Sequence, residues 1–307
     1  MRMAVVGIGG VGGYYGGKLA YAYPPGSEHE IVFFCRGAHM EAIRKNGLKL
    51  ITRDGELMAR PSLATDTPAE IGTVDVALFC VKGYDLLDVA RSMAPAISSR
   101  TVVIPLGNGP DNDETLKQGL RAGDVLKGCA YISSHVERPG SVEETGGNPR
   151  MFFGNPDGKT QPYLPIEGMF RSAGINAQSS ANILGEVWTK FTFIGPVSGV
   201  TSLHGITIGQ TLDDPRLRAQ LAGMMSEVEA IARKKAVGLP QDVVERALAS
   251  AAAFPGDTRS SMEVDVTSGR RTELETLLGY VVRQGRDLGV STPLHFEVYE
   301  ALKRRAA

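Results

Sequence analysis

The sequence is poor in cysteine, and this shortage argues against a disulfide framework or a zinc site. Its three cysteines are odd in number and far apart: Cys35, Cys80 and Cys129. The first two lie in apolar, strand-like runs, so we interpret them as reduced thiols of a hydrophobic core. The five histidines are scattered in the same way. The sequence therefore predicts a chain with no metal ligands and with the reduced cysteines of a cytoplasmic protein.

Long apolar runs and an excess of charge of one sign are also lacking. No segment reaches the ~18 apolar residues of a membrane-spanning helix, and the first residues read as a strand rather than a signal peptide. The net charge of −1 over 307 residues offers no field that would attract nucleic acid or an anionic membrane. We therefore expect a cytoplasmic protein whose partner is a small molecule.

What the first 180 residues do contain is an alternation of short apolar runs and helical segments. The runs are Met3–Gly7, Ile31–Cys35, Asp75–Val81 and Thr101–Leu106. Apolar runs separated by helices are typical of a parallel sheet buried on both faces. A hairpin around Asp54-Gly55 and antiparallel strands from Ile132 to Asn155 are expected to be attached to that sheet. Residues 1–180 are thus predicted to form a doubly wound, Rossmann-type α/β domain.

Residues 181–307 have a helical pattern almost throughout. The predicted helices are Ile183–Ser198, Pro215–Ala236, Gln241–Ala252 and Thr272–Leu288. The first is expected to end or kink near Gly195–Gly199, where small residues surround a proline. The fold class is therefore α/β, with an all-helical C-terminal domain. Its long apolar stripes are compatible with a homodimer interface or with a core of their own.

A glycine-rich loop joins the first predicted strand to the first predicted helix. It reads Gly7-Ile8-Gly9-Gly10-Val11-Gly12, the pattern G-x-G-x-x-G. The first glycine allows a tight turn, the second lets a pyrophosphate approach the backbone, and the third lets the helix pack on the strand. The helix N-terminus stabilises phosphate charge. In this context the pattern predicts a dinucleotide site more strongly than a structural turn.

The end of the second predicted strand bears on which dinucleotide binds. NAD enzymes usually place Asp or Glu there, to accept hydrogen bonds from the ribose hydroxyls. This strand ends Cys35-Arg36-Gly37, without an acid. A guanidinium pairs instead with the 2′-phosphate of NADP, although an arginine at a strand end can also be simply solvated. Arg36 therefore favours NADPH as the cofactor.

Two more polar residues follow predicted strands. Lys82 comes after VALFCV, and Asn108 comes after TVVIPLG. Ligands of open α/β sheets collect at the carboxyl ends of the strands, so both residues are expected to surround one crevice with the glycine loop. Taken singly, each is equally compatible with a solvated charge or an ordinary turn.

The sequence resembles the ketopantoate reductase family over essentially its whole length. The shared motifs, in the order and spacing of that family, are the glycine loop, Lys82, Asn108-Gly109, Trp188-x-Lys190-Phe191, Ser260-Ser261-Met262 and Glu273. The most specific are the W-x-K segment and the glutamate twelve residues after the second serine. A lysine among apolar residues usually extends to water, so Lys190 is singled out only by the other family motifs that accompany it.

The resemblance implies NADPH reduction of 2-dehydropantoate to (R)-pantoate, a step of pantothenate biosynthesis. It implies Lys190 as the proton donor and Glu273 as a catalytic residue where cofactor and substrate meet. Lys82 and Asn108 are implied at the nicotinamide end of the cofactor site, with Asn108 also touching substrate, and Ser261 at the substrate carboxylate. The chemistry is consistent, because hydride addition to a ketone leaves an alkoxide that an ammonium group stabilises and protonates.

Two positions depart from the family pattern. Residues four apart share a helix face, so Ile194 and Ser198 are expected to contact the substrate beside Lys190. The best-known members carry asparagines there, which contact the substrate and particularly its hydroxyl group. Either the chain recognises the same substrate through other groups, or its substrate lacks that hydroxyl or has a more apolar tail.

The sequence thus leaves three functions to compare: reduction of 2-dehydropantoate, reduction of a different 2-oxo acid or ketone, and NADPH binding by a non-catalytic regulator. The presence of Lys190, Asn108, Ser261 and Glu273 together argues against the regulator, which needs only the glycine loop and Arg36.

Overall fold

The computed structural model describes residues 1–306, and the chain divides into two compact units. The first unit contains Met1–Gly107 and Asp111–Ile183, and the second contains Asn108–Pro110 and the chain from Leu184 onward. Each unit has an apolar core of its own. A segment of three residues in the middle of the first unit's sequence therefore belongs to the second unit.

The first unit alternates strands and helices through most of its length. Its elements are β1 (Arg2–Val6), α1 (Gly10–Ala22), β2 (Glu30–Phe34), α2 (Gly37–Asn46), β3 (Leu48–Thr52), β4 (Gly55–Ala59), β5 (Leu63–Thr65), α3 (Pro68–Ile71), β6 (Val76–Phe79), α4 (Gly83–Met93), β7 (Val102–Pro105), α5 (Asn112–Gly119), β8 (Asp124–Val125), β9 (Lys127–Arg138), β10 (Ser141–Gly154), α6 (Leu164–Ser172) and β11 (Ala177–Ser179). Short 3₁₀ turns lie at Ala94–Ala96 and Gln161–Tyr163.

Six parallel strands form the central sheet of this unit, in the order β5-β2-β1-β6-β7-β8. The inner strands are continuous apolar runs because both faces of the sheet are covered by packed side chains. Since β2 and β6 flank β1, the segments that follow these three strands emerge at the same edge of the sheet. The predicted Rossmann-type domain is confirmed.

The predicted antiparallel strands are present, but the prediction that they extend the central sheet is wrong. β9 pairs with β10, and β10 pairs with β3 and β11, in a second sheet of five strands. The hairpin around Asp54-Gly55, formed by β3 and β4, belongs to this second sheet as well. The pattern of a strand gives its length and its faces, whereas its pairing partner is decided by long-range packing.

Helix α1 lies between the two sheets, and its glycines make this possible. A Cβ on Gly16 would meet Phe33 of the central sheet at 3.0 Å, and one on Gly17 would meet Leu50 of the second sheet at 3.2 Å. A Cβ on Gly13 would overlap the side chain of Val142, also in the second sheet. Both sides of the helix therefore approach a sheet closely, and a side chain would overlap at Gly13 and would require its neighbours to shift at Gly16 and Gly17.

The second unit is helical. Its elements are α7 (Ile183–His204), α8 (Ile208–Asp213), α9 (Pro215–Lys234), α10 (Val243–Ala252), α11 (Ser261–Thr267), a π-helical turn at Glu275–Gly279, α12 (Tyr280–Leu288) and α13 (Pro293–Ala306). The fold class predicted from the sequence, a Rossmann-type domain followed by a helical domain, is confirmed. No helix within residues 1–306 combines the length and the apolar character needed to cross a bilayer.

The sequence predicts that the first helix ends or kinks near Gly195–Gly199, and the predicted end is wrong. Helix α7 runs without interruption from Ile183 to His204, with Pro196 inside it. A proline inside a helix removes one backbone hydrogen bond and crowds the preceding turn. Val197 and Val200, which follow Pro196 in the helix, are buried in the core of the unit. Packing of these side chains holds the helix together through the proline.

Candidate active site

The glycine loop between β1 and α1 has the geometry that the sequence pattern predicts. Gly7 has a φ of +91°, and its N–H donates to the carbonyl of Phe34 at 2.9 Å. A Cβ on Gly7 would lie 2.5 Å from a methyl carbon of Val81, and a Cβ on Gly12 would overlap the carbonyl oxygen of Gly7. Side chains are therefore excluded at both ends of the loop, which lets α1 begin directly above the strand.

The middle of the loop presents backbone and open space. Gly9 is the N-cap of α1, and a Cβ there would meet nothing within 4 Å. No side chain caps this end of the helix, so the amide groups of the first turn face the open side of the loop. Ile8 is buried and Val11 half-buried, which fixes the loop from below. This donor set and space fit the pyrophosphate of a dinucleotide.

Gly10 has a role that the motif alone does not reveal. A Cβ at this position would overlap the backbone carbonyl oxygen of Ser134, in β9 of the second sheet. The loop is therefore held between two sheets rather than resting on one. The only sequence signal for this contact is the glycine itself, which the motif does not require.

Arg36 lies at the same sheet edge as the loop, directly after β2. Its side chain is 85% exposed, and its Nη2 lies 3.6 Å from Oδ2 of Asp85. Asp85 is in the first turn of α4, which follows β6, and Lys82 is the N-cap of that helix. Arg36 and Lys82 thus occupy the strand ends where the sequence places them. Asp85 was not predicted, although an acid in the first turn after a strand end is a visible signal.

In the second unit, three predicted site residues form one hydrogen-bonded row. Lys190 Nζ donates to Oδ1 of Asn108 at 2.9 Å, and Nδ2 of Asn108 donates to Oε2 of Glu273 at 3.3 Å. Glu273 is 4% exposed, whereas Lys190 and Asn108 are half-buried. The amide of Asn108 therefore links the cation to a buried anion. This arrangement holds an ammonium group in a fixed position with one face toward solvent.

Aromatic packing holds Lys190 in place from the other side of α7. Trp188 and Phe191, which flank it in sequence, are both buried. Their rings meet edge to face with centroids 5.8 Å apart, and the ring of Phe191 meets that of Tyr280 at 5.7 Å. Edge-to-face contacts of this kind fix ring orientation as well as burying area. The W-x-K-F sequence thus supplies both the site residue and its support.

Glu273 lies two residues before the π-helical turn Glu275–Gly279. Across that turn, Glu275 Oε2 accepts from Arg283 at 2.8 Å and its Oε1 accepts from the hydroxyl of Tyr299 at 2.6 Å. A Cβ on Gly279 would lie 2.6 Å from Glu275 Oε2, so the glycine leaves room for the carboxylate. Turns of this type are rare and often adjoin functional residues.

The remaining predicted substrate residues differ in exposure. Ile194, one turn after Lys190 on α7, is half-buried against the core of the second unit. Ser198 is completely buried, and its hydroxyl has no hydrogen-bond partner within residues 1–306. Ser261, the first residue of α11, is exposed, while its neighbour Ser260 is buried and caps the helix through Glu263 N–H. The two serines therefore have separate tasks.

The thiols are placed as core residues. None of the three cysteines forms a disulfide within residues 1–306, and burial raises the pKa of Cys35 and of Cys80 to about 12. At that pKa neither is a thiolate near neutral pH. Across residues 1–306, no group of three or more His, Cys, Asp and Glu side chains is arranged to hold a metal ion.

Comparison with known proteins extends over both units. Residues 3–158 match the family described as Ketopantoate reductase PanE/ApbA, and residues 182–306 match Ketopantoate reductase PanE/ApbA C terminal. The crystal structure of 2-dehydropantoate 2-reductase from Porphyromonas gingivalis W83 is 33% identical, covers 99% of each chain and has a TM-score of 0.85. The 2-dehydropantoate 2-reductase of Halobacterium salinarum is 29% identical over 96% of this chain and 95% of its own. The uncharacterised oxidoreductase YkpB of Bacillus subtilis is 28% identical over 99% of this chain and 98% of its own.

Proposed function

We propose that this chain, which belongs to the ketopantoate reductase PanE/ApbA family and is an oxidoreductase acting on CH–OH groups, reduces 2-dehydropantoate to (R)-pantoate with NADPH. The observation that carries the proposal is the row Lys190–Asn108–Glu273, which puts a positioned ammonium group in the helical unit. A regulator that only senses a dinucleotide has no use for such a row.

In this proposal, residues 1–180 bind the dinucleotide and residues 181–307 carry the catalytic groups. The backbone of Gly7–Gly12 receives the pyrophosphate at the N-terminus of α1, and Arg36 pairs with the 2′-phosphate. Lys82 and Asn108 contact the nicotinamide end. When bound, NADPH supplies the hydride that converts the ketone carbon into a carbinol carbon.

Lys190 acts as the general acid. Its ammonium group donates to the ketone oxygen, stabilises the negative charge that develops there, and transfers a proton to complete the hydroxyl group. Asn108 and Glu273 hold this ammonium through the two hydrogen bonds of the row.

Ser261 binds the substrate carboxylate in this proposal. Its hydroxyl is exposed at the first position of α11, where it can donate a hydrogen bond to a carboxylate oxygen. Ile194 and Ser198 form the wall of α7 beyond Lys190, with Ile194 as the half-buried member that faces the substrate tail.

Ile194 also supports a second candidate, a reductase for a 2-oxo acid with a more apolar tail. A wall that buries an aliphatic side chain gains nothing from a substrate hydroxyl, which must give up its hydrogen bonds to water on binding. Both candidates share the same acid, the same cofactor and the same carboxylate site. They differ only in what lies beyond the reacting carbon.

The test is reduction of a panel of 2-oxo acids, 2-dehydropantoate included, by the purified full-length protein, followed by loss of reduced-nicotinamide absorbance. We expect turnover of 2-dehydropantoate and a loss of about 10²–10⁴-fold in kcat for Lys190→Ala, with dinucleotide affinity unchanged. Lys234→Ala, at an exposed position at the end of α9, serves as the matched control.

Each alternative has its own result in this assay. Activity confined to acids that lack a hydroxyl beyond the keto group would establish the second candidate instead. Tight NADPH binding without turnover of any acid would favour the regulator. Full activity of Lys190→Ala would refute the assignment of the proton donor.

A further inference from the structure

The Arg36–Asp85 pair places a negative charge beside the only residue assigned to the 2′-phosphate. The two side chains come from segments after β2 and after β6, the strands that flank β1. They therefore meet over the loop that follows β1, with Nη2 and Oδ2 3.6 Å apart. A ligand group that contacts Arg36 from the loop side also lies within a few ångströms of this carboxylate.

The two groups have opposite preferences at the ribose. A 2′-phosphate carries close to two negative charges at neutral pH, so it is attracted by Arg36 and repelled by Asp85. A free 2′-hydroxyl donates a hydrogen bond to a carboxylate, which is the usual reason for the acid in NAD sites. That acid is absent from the end of β2, and α4 supplies one from the neighbouring strand end.

We propose that Asp85 is a specificity-determining residue of the dinucleotide site, which limits the preference for the 2′-phosphate and lets NADH bind as well as NADPH. This inference rests on the proposed function, because it takes the glycine loop and Arg36 as the dinucleotide site. It assigns the choice between the two cofactors to a pair of opposite charges rather than to Arg36 alone.

The position of Asp85 suits this task. Its side chain is 35% exposed, compared with 85% for Arg36, so the carboxylate is the better fixed of the two partners. The N-terminus of α4 stabilises its charge. Bound phosphate would draw the mobile guanidinium away from Asp85, whereas bound ribose hydroxyls would leave the pair intact. The ion pair therefore competes with the phosphate for the same guanidinium.

The experiment measures dissociation constants by calorimetry, without substrate, for NADPH, NADH, 2′,5′-ADP and 5′-AMP. The variants are Asp85→Asn and Asp85→Ala, where the second removes the charge without adding an amide donor. Asp88→Asn is the matched control, since Asp88 lies on the same helix and pairs with Arg91 at 3.4 Å. We expect both Asp85 variants to raise the NADPH-to-NADH affinity ratio about tenfold, as removal of one charge at this distance implies.

The fragments locate the effect at the ribose, because 2′,5′-ADP and 5′-AMP differ only in the 2′-phosphate that Arg36 is assigned. Their affinity ratio is expected to shift in parallel, and the shift to shrink at high salt. An affinity ratio in both Asp85 variants equal to that of Asp88→Asn would overturn the inference while leaving the proposed function in place. Failure of the wild-type protein to bind either dinucleotide would overturn both.

Discussion

Asn108 and Lys190 stand 82 positions apart in the sequence and are joined by a hydrogen bond of 2.9 Å, from the lysine ammonium to the amide oxygen. The same amide donates to Glu273. One neutral side chain thus orients the cation and ties it to the buried carboxylate, and it does so with both of its polar atoms used. Removing this amide is the most direct way to disturb the row without removing either charge.

Asn108→Ala is expected to lower kcat by about 10–100-fold, because a hydrogen bond to a charged group contributes about 1.5–3 kcal/mol. Steady-state kinetics with the best 2-oxo acid of the panel measures the effect. Asn148→Ala, at an exposed position of β10, controls for the loss of an amide as such. An unchanged kcat in Asn108→Ala would mean that Lys190 is positioned by its helix alone.

The glycine loop separates ligand binding from folding. Gly9→Ala adds a methyl group to space that is open within 4 Å, so the protein should fold with its Tm nearly unchanged. The same methyl group occupies the approach of the pyrophosphate, and dinucleotide affinity should fall at least about tenfold. Gly12→Ala, whose Cβ would overlap the Gly7 carbonyl, should instead lower the Tm. Calorimetry and thermal melts on both variants test this pair of outcomes. A Tm of Gly9→Ala as low as that of Gly12→Ala, or an unchanged dinucleotide affinity in Gly9→Ala, would contradict it.

Ile194 should control the response to a substrate hydroxyl. Ile194→Asn is expected to raise kcat/KM for 2-dehydropantoate, relative to an otherwise similar acid without the hydroxyl, by about 10-fold or more. Ile194→Leu keeps the wall apolar and serves as the control. The relative values come from competition between the two acids in one reaction. No change in this ratio would place the substrate tail away from α7.

Stability should fall as the pH drops below about 6.5, through His295. This residue is fully buried, with Nδ1 2.6 Å from Oε2 of Glu227, and burial lowers its pKa despite the carboxylate, which acts in the opposite direction. Because the unfolded chain binds the proton more readily than the folded one, stability is complete above the unfolded pKa and declines as the pH falls from there. The Tm of the wild-type protein should therefore drop by a few degrees more than that of His295→Gln between about pH 7.5 and about pH 5.5. His204→Gln, at an exposed position, should follow the wild type, and a wild-type curve parallel to that of His295→Gln would disprove the linkage.

The π-helical turn after Glu273 should tolerate no side chain at Gly279. A Cβ there would lie 2.6 Å from Glu275 Oε2 and 2.9 Å from Arg283 Nη1. Gly279→Ala is expected to destabilise the protein by about 1–3 kcal/mol. Gly168→Ala, in helix α6 where a Cβ meets nothing within 4 Å, should stabilise it by up to about 1 kcal/mol. Denaturant titration measures the free energy of unfolding of both variants. Equal changes in this free energy for Gly279→Ala and Gly168→Ala would refute the crowding argument.

The sequence predicts the local parts of the site and not the distances between its members. The strand–loop–helix around Gly7–Gly12 is specified by residues within twenty positions of one another, and its structure agrees with the prediction. The contact between Asn108 and Lys190 depends on where Asn108–Pro110 lies, which no local pattern encodes. The same limit applies to Asp85, whose relation to Arg36 arises from the order of strands in the sheet.

The two wrong predictions also have a common cause. The prediction that the antiparallel strands after Ile132 extend the central sheet is wrong because a strand pattern does not specify hydrogen-bonding partners. The prediction that helix α7 ends or kinks near Gly195–Gly199 rests on the local preference against a proline inside a helix. In the structure, burial of Val197 and Val200 outweighs that local preference. Tertiary packing decided both outcomes.

Because Asn108–Pro110 belongs to the helical unit, recombination between related proteins affects this unit in an unexpected way. A recombination crossover at the boundary after Ile183 would join the Asn108 loop of one parent to the Lys190 and Glu273 of another. Such a chimera would carry a row of three residues drawn from two lineages, and its hydrogen bonds would form only if both parents had kept compatible loops. The sequence before Ile183 therefore cannot be exchanged without also exchanging Asn108–Pro110, a part of the helical unit.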